Sequence, residues 1–192
     1  MNAAEEPLGK YKAKRDFSKT PEPEGGDPSD APRFCVQRHE ATRLHYDFRL
    51  EMNGVLVSWA IPQGPSFDPA VKRLAVRTED HPIDYLEFEG VIPKGQYGGG
   101  TVILWDLGVY ENITEKKGRH FDPMEAVDHG HIKFVLLGEK LQGTFALTRM
   151  GKQDEKNWLF VKVNDPYADP QRDPVRDNPQ SVKSGLVNAD LK

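Results

Sequence analysis

The sequence predicts a mainly β protein: an antiparallel, closed or nearly closed β-barrel with one or two short flanking helices. Three observations carry this. From Leu44 to Leu50 apolar and polar residues alternate without a break, the period of a strand with two unlike faces. Asn53-Gly54 stands between two such runs and is a strong short hairpin signal. Further short β-rich segments follow at regular intervals, punctuated by Gly and Pro, with one convincing helix among them.

The segments divide the 192 residues into three parts. Residues 1–32 read as a flexible arm, basic at Lys10, Lys12, Lys14, Arg15 and Lys19 and then acidic, and Pro21–Pro28 is too rich in Pro, Gly and Glu for a regular element. Residues 33–164 form the folded barrel, and residues 165–192 an extended tail. Within the barrel a two-residue turn at Asn53-Gly54 fixes the register, so paired positions sum to 107: Arg49 faces Ser58, Asp47 faces Ala60 and Phe48 faces Trp59. Strands are expected at Leu74–Thr78, Tyr85–Glu89, Thr101–Asp106, Ile132–Leu137, Thr144–Thr148 and Trp158–Val163. The helix starts with Asp122 as N-cap, Pro123 at its first position and Glu125 completing a capping box, and it stops at Gly130.

Composition narrows the function. The net charge of −4 gives no overall basic footprint, so nucleic-acid binding has to rest on local clusters such as the arm. No apolar run approaches the ~20 residues that cross a bilayer, and Met1–Lys19 has no apolar signal region, so the expectation is a cytoplasmic protein without membrane contact. The single cysteine, Cys35, fits a reducing compartment and reads as a small buried hydrophobe.

The chemistry concentrates in the Gln37–Leu50 region. One strand face carries His45, Asp47 and Arg49; the other carries Leu44, Tyr46, Phe48 and Leu50. His39 approaches from the preceding turn. Two imidazoles and a carboxylate suit Mn²⁺, Fe²⁺ or Zn²⁺. Arg49 beside a cation implies an anion between them, and a guanidinium–phosphate pair supplies one. The small residues Ser58 and Ala60 opposite leave room for that ligand, and a polar face turned into the barrel is the expected place for the site. Asp80-His81-Pro82 is a second candidate that by itself reads first as a turn, and Tyr85 reads as a core aromatic. Gln96–Thr101 reads as a loop or glycine bulge because no helix follows it, and His129-Gly130-His131 as structural.

Taken together, His39-x5-His45-x-Asp47-x-Arg49, the run Trp59-Ala60-Ile61-Pro62-x-Gly64-Pro65-Ser66, Glu79-Asp80-His81-Pro82 and Glu89-Gly90-x-Ile92-Pro93-x-Gly95-x-Tyr97-Gly98 resemble the 3′-phosphoesterase domain of bacterial DNA ligase D, over about residues 9–165. The resemblance implies a β-barrel enzyme of end-joining repair. Such an enzyme removes a 3′-terminal ribonucleoside from a primer–template and then hydrolyses the remaining 3′-phosphate to a 3′-OH. It implies Mn²⁺, with Zn²⁺ or Co²⁺ as substitutes, held by His39, His45 and Asp47. Arg49 and His81 would hold the scissile phosphate, with Tyr85 and Gln37 in support, and His81 either contacts the phosphate or protonates the leaving oxygen. Arg15, Asp16 and Glu22 match positions needed mainly for the diester step, and Arg73 matches a phosphate-binding arginine. DNA or RNA-tailed 3′ ends, an end-joining ligase and polymerase, a Ku-type end binder and a place at the nucleoid are the implied partners and location. Gln63 stands where many relatives carry lysine, which predicts a weaker diester step. A non-haem metal oxygenase and a non-catalytic 3′-end binding module remain alternatives for the same donor set.

Overall fold

The computed structural model describes residues 6–191. Residues 1–5 of the arm and residue 192 of the tail lie outside the described residues. In chain order the elements are α1 (Gly9–Ala13), β1 (Arg33–Glu40), β2 (Leu44–Met52), β3 (Val55–Ile61), β4 (Arg73–Arg77), a 3-10 turn (Ile83–Glu87), β5 (Gly90–Ile92), β6 (Gly100–Asn112), β7 (Glu115–Lys116), β8 (Arg119–His120), α2 (Pro123–His129), β9 (His131–Gly138), β10 (Gln142–Arg149), β11 (Asn157–Lys162), α3 (Pro174–Asp177) and a second 3-10 turn (Asn188–Asp190). The strands run antiparallel in the order β1-β2-β3-β4-β11-β10-β9-β6, and β6 pairs back onto β1 to close the barrel. β5 adds to the edge of β6, and β7 and β8 form a separate hairpin.

The register follows the sequence. Asn53 and Gly54 both take positive φ, the requirement of a tight hairpin turn, and β2 pairs with β3 as Asp47↔Ala60, Phe48↔Trp59 and Arg49↔Ser58. Alternation then sorts the side chains. Tyr46, Phe48, Leu50, Val57, Trp59 and Ile61 fill the barrel together with Phe134, Phe145 and Phe160 from β9, β10 and β11. The polar set therefore lies on the outer face of the barrel, not inside it as the sequence suggested. The interior is apolar because seven of the eight strands contribute bulky residues to it and the eighth, β4, contributes Ala75. A second, smaller apolar cluster covers the outer face: Tyr11, Cys35, Leu56, Ile83, Tyr85, Leu86 and Leu104.

Four local expectations differ. Tyr85–Glu89 is not a strand: after the extended Pro82 the chain turns into the 3-10 element, whose Ile83, Tyr85 and Leu86 all join the outer cluster. α2 has its αL stop at Gly130, but no side-chain cap bond forms at Asp122, and Glu125 pairs with Arg119 instead of closing a capping box. The arm carries the helix α1 and lies on the barrel from Tyr11, which is fully buried, to the buried Glu22. The tail is folded back rather than extended. Trp105 Nε1 donates to Asn178 O, Val182 N to Leu104 O, and buried Asn188 donates to both Arg38 O and Thr101 O. Each segment packs because it satisfies backbone groups or covers apolar surface that the barrel leaves open. Among the described residues no helix is long and apolar enough to cross a membrane.

Candidate active site

Three adjacent strands build the site. His39 of β1 pairs with His45 of β2, and Gln37 pairs with Asp47, so both histidines and the carboxylate project from one face. A bulge between Val36 and Gln37 shifts the β1–β6 register at this point and lets Trp105 turn inward while Gln37 stays on the outer face. The donor atoms of His39, His45 and Asp47 all lie within 4.8 Å of one another.

The imidazoles are held for ligation by what their other nitrogens do. His39 Nε2 lies 2.6 Å from Gly98 O, and His45 Nδ1 lies 3.0 Å from Arg43 O. A ring N–H facing a carbonyl donates to it, which leaves His39 Nδ1 and His45 Nε2 as the nitrogens that offer a lone pair whenever the proton shared with Asp47 is displaced by a cation. Those two atoms stand 3.4 Å and 3.3 Å from Asp47 Oδ2. Outer nitrogens tied to backbone carbonyls and inner lone pairs converging on a buried carboxylate form a donor set that fits a divalent metal. Gly98 reaches His39 through the Gln96–Thr101 loop, where a Cβ on Gly100 would collide with Glu40 O. Burial would raise the Asp47 carboxyl, but Arg49 and then the two histidines hold it well below the usual carboxylate range. Burial would likewise depress His45, and the bond and charge of Asp47 overcome it, so His45 is raised.

Arg49 is fixed by three contacts. Its Nε donates to Gln37 Oε1 at 2.8 Å, its Nη1 to Ser58 Oγ at 2.9 Å, and its Nη2 lies 3.6 Å from Asp47 Oδ2. Gln37 is anchored in turn by Nε2 bonds to Tyr85 O and Phe88 O. Ser58 thus holds Arg49 rather than merely leaving space. The Tyr85 ring lies 4.8 Å from the guanidinium carbon, and its hydroxyl donates to Glu22. Burial, then the charge of Glu22, keeps that phenol well above its ordinary pKa.

His81 is buried between the rings of Tyr11 and Tyr85. Its Nδ1 faces Glu79 O at 2.8 Å, and its Nε2 lies 3.5 Å from Arg15 Nη2. Burial, then Arg49 and Arg15, push the imidazole well below its ordinary pKa, so it is neutral with the proton on Nδ1. Arg15 is itself clamped, Nε to Glu22 Oε2 and Nη1 to Glu79 Oε1.

The fold therefore joins His39, His45, Asp47, Arg49, Gln37, Tyr85, His81, Arg15 and Glu22 in one connected network. Asp16 and Arg73 stay out of it. Asp16 is exposed and accepts from Ser18 and Lys19. Arg73 shares its strand face with core residue Ala75, and its Nη1 donates to Gln63 at 2.6 Å. His129 and His131 bind Glu125 O and Thr148 Oγ1, away from the site. Sequence reasoning missed roles for Tyr11, Ser58, Glu79 and the Gly98 carbonyl; Glu79 had one signal, its place beside Asp80-His81-Pro82.

Against known proteins, the profile of the family described as "DNA Ligase D 3'-phosphoesterase domain" matches residues 37–149. The chain belongs to that family. It is 49% identical over 187 residues to the "Multifunctional non-homologous end joining protein LigD" of Pseudomonas aeruginosa, covering 93% of this chain and 21% of that protein. The protein of the same description from Mycolicibacterium smegmatis is 47% identical over 169 residues, 82% of this chain and 21% of its own length. The "Multifunctional non-homologous end joining DNA repair protein LigD" of Mycobacterium tuberculosis is 48% identical over 145 residues, 74% and 18% respectively. The chain spans about a fifth of the length of these curated relatives. The 3′-phosphoesterase match covers His39, His45 and Asp47, every proposed metal ligand of this chain.

Proposed function

We propose that this chain is a metal-dependent 3′-end-healing phosphoesterase. It removes a 3′-terminal ribonucleoside from a DNA end as a phosphodiesterase and then the 3′-phosphate as a phosphomonoesterase, leaving a 3′-OH. The observation that carries this reading is the convergence of His39 Nδ1, His45 Nε2 and Asp47 Oδ2 beside the anchored cation Arg49. A divalent ion on those three donors, Mn²⁺ ahead of Zn²⁺ or Co²⁺, supplies Lewis-acid polarisation of a phosphoryl oxygen and acidifies water.

The chain's own residues do the rest. Arg49, its plane set by Gln37 and Ser58, neutralises charge on the phosphate oxygens and needs no reorganisation to do so. His81 presents Nε2 as an acceptor. Once the phosphate's charge favours protonation, the same nitrogen donates to a phosphate oxygen or to the leaving oxygen, the ribonucleoside's 5′ oxygen in the diester step and the 3′ oxygen in the monoester step. Arg15 stands next to His81 and adds a second cation on the side of the arm. Tyr85 and Gln37 are positioning residues, because their polar groups are spent on Glu22, Arg49 and backbone carbonyls. Ends of this kind arise in end-joining repair, so an end-joining ligase, a polymerase and a Ku-type end binder are the proposed partners, and the cytoplasm at the nucleoid is the proposed location.

A time course on a primer–template ending in one ribonucleotide, with and without Mn²⁺, tests the reading. A 3′-phosphate product should appear and then decay to 3′-OH only with metal. Intact primer after full incubation with Mn²⁺ would overturn it.

A further inference from the structure

The carbonyl that orients His39 belongs to a loop with little of its own to hold it in place. His39 Nε2 lies 2.6 Å from Gly98 O. Gly98 sits in the connection between β5 and β6, where Gly95, Gly98, Gly99 and Gly100 make four glycines in six residues. Glycine loses the most backbone freedom on ordering, so such a loop depends on contacts that fix it. The Ile92↔Gly100 pair joins its ends, and two turns shape it from within: Gln96 N donates to Pro93 O at 3.1 Å, and Gly99 N to Gln96 O at 3.0 Å. Among the described residues one side chain of the loop, that of Tyr97, forms a hydrogen bond outside it.

Tyr97 ties the loop to the arm. Its hydroxyl lies 3.3 Å from Lys14 Nζ, and its ring centre lies 4.7 Å from the same ammonium and 5.3 Å from the Arg15 guanidinium carbon. The ring's electron-rich face attracts such cations. Both are themselves held, because buried Glu79 takes Lys14 on Oε2 at 2.9 Å and Arg15 on Oε1 at 3.3 Å. Tyr97 is 49% exposed, so these contacts rather than burial place it. The next residue is Gly98, with φ of +74°, and a Cβ on it would stand 3.3 Å from His39 Cε1. The peptide after Tyr97 therefore rests against the imidazole, and a shift of Tyr97 is passed to His39.

We propose that Tyr97 is a positioning residue for the metal. Held by Lys14 and Arg15 of the docked arm, it fixes the Gly98 carbonyl and, through it, the ring of His39. Arm docking and metal binding thereby reinforce each other. This rests on the metal-dependent reading of the site, and it gives the arm a task apart from any contact with substrate.

The test titrates Mn²⁺ into the metal-free full chain by calorimetry, with His39→Ala as the variant that loses the site. Tyr97→Ala should weaken Mn²⁺ binding about tenfold, the low end for a group that orients a ligand. Its urea midpoint in EDTA should match that of the wild type. Tyr97→Phe keeps the ring beside the cations and should stay within about threefold of the wild type. Lys14→Met should weaken binding by about threefold, and adding it to Tyr97→Ala should cost nothing further, because the contact is already gone. At saturating Mn²⁺, phosphate release by Tyr97→Ala should regain the wild-type kcat and KM. Additive losses in the double variant would overturn the proposal. A KM still raised at saturating Mn²⁺ would do so too, by making Tyr97 a substrate contact, and a lowered midpoint in EDTA would reduce it to a support of the fold. If the wild type binds Mn²⁺ and Tyr97→Ala binds it equally well, the Tyr97 proposal alone fails. If the wild type binds none of Mn²⁺, Zn²⁺ and Co²⁺, the metal-dependent reading fails and takes this proposal with it.

Discussion

Arg49 Nη2 lies 3.6 Å from Asp47 Oδ2, and both groups are buried. The same carboxylate oxygen faces both imidazoles. Asp47 is therefore placed to serve both as a donor to the proposed metal and as the counter-charge of Arg49, the proposed phosphate-binding cation. Asp47→Asn should abolish Mn²⁺-dependent phosphate release and also destabilise the metal-free protein by about 3 kcal/mol, because it leaves Arg49 buried without its anion. Urea unfolding in EDTA reads the second effect separately from the first.

Gln37 and Ser58 hold the guanidinium from two sides, and they should rank differently. Gln37→Ala strands Arg49 Nε and the carbonyls of Tyr85 and Phe88, and should cost about 3 kcal/mol; Ser58→Ala removes one bond to a charged group, about 1.5 kcal/mol. Both should lower kcat more than they raise KM. Equal unfolding midpoints for the two variants would contradict the ranking.

His81 gives the fold a pH dependence of known sign. Its folded pKa is depressed, so between that value and ~6.5 the unfolded chain binds more protons and stability falls as pH falls. His45 is raised and acts the other way, but it is common to both proteins when wild type is compared with His81→Asn. In metal-free unfolding series the wild type's advantage over His81→Asn should be full above pH ~6.5 and shrink as pH drops below it. A gap independent of pH would refute this.

Arg15 and Glu22 tie the arm to Tyr85 and His81. Arg15→Ala and Glu22→Ala should each reduce ribonucleoside removal more than 3′-phosphate removal, the division of roles that the family resemblance implies for these two positions. Initial rates on the two substrates decide it: a matched loss on both would point to a general folding role. The Arg15–Glu22 pair should also show a coupling energy of about 1–3 kcal/mol in a double-mutant cycle.

Asn188 clamps β1 to β6 one residue from His39, with bonds to Arg38 O, Thr101 O and the Arg38 guanidinium. Asn188→Ala should cost about 2 kcal/mol and lower Tm by roughly 4–8 °C. A calorimetric scan with no shift would show that the tail is dispensable.

Much of this was legible in the chain. Period-two alternation assigned His45, Asp47 and Arg49 to one face, and Asn53-Gly54 set the register that brings Ser58 beside Arg49, because both are local properties of strand geometry and turn sterics. The motif pattern likewise drew His81 and Gln37 to the site. Alternation cannot say which face is inside. That was decided by the barrel strands pooling their apolar residues inside and by Tyr11, Ile83, Tyr85 and Leu86 closing over the other face. The 3-10 turn, the docked arm and the folded-back tail depend on partners more than forty residues away, as in Gln37 with Tyr85 or Asn188 with Arg38. Such contacts leave no periodic trace in the sequence. The sequence by itself singled out the three candidate donors and put His45 and Asp47 on one strand; only the tertiary structure decided that His39 comes from the neighbouring strand β1 rather than a turn, and what covers all three, because pairing and covering are contests among segments apart in the chain.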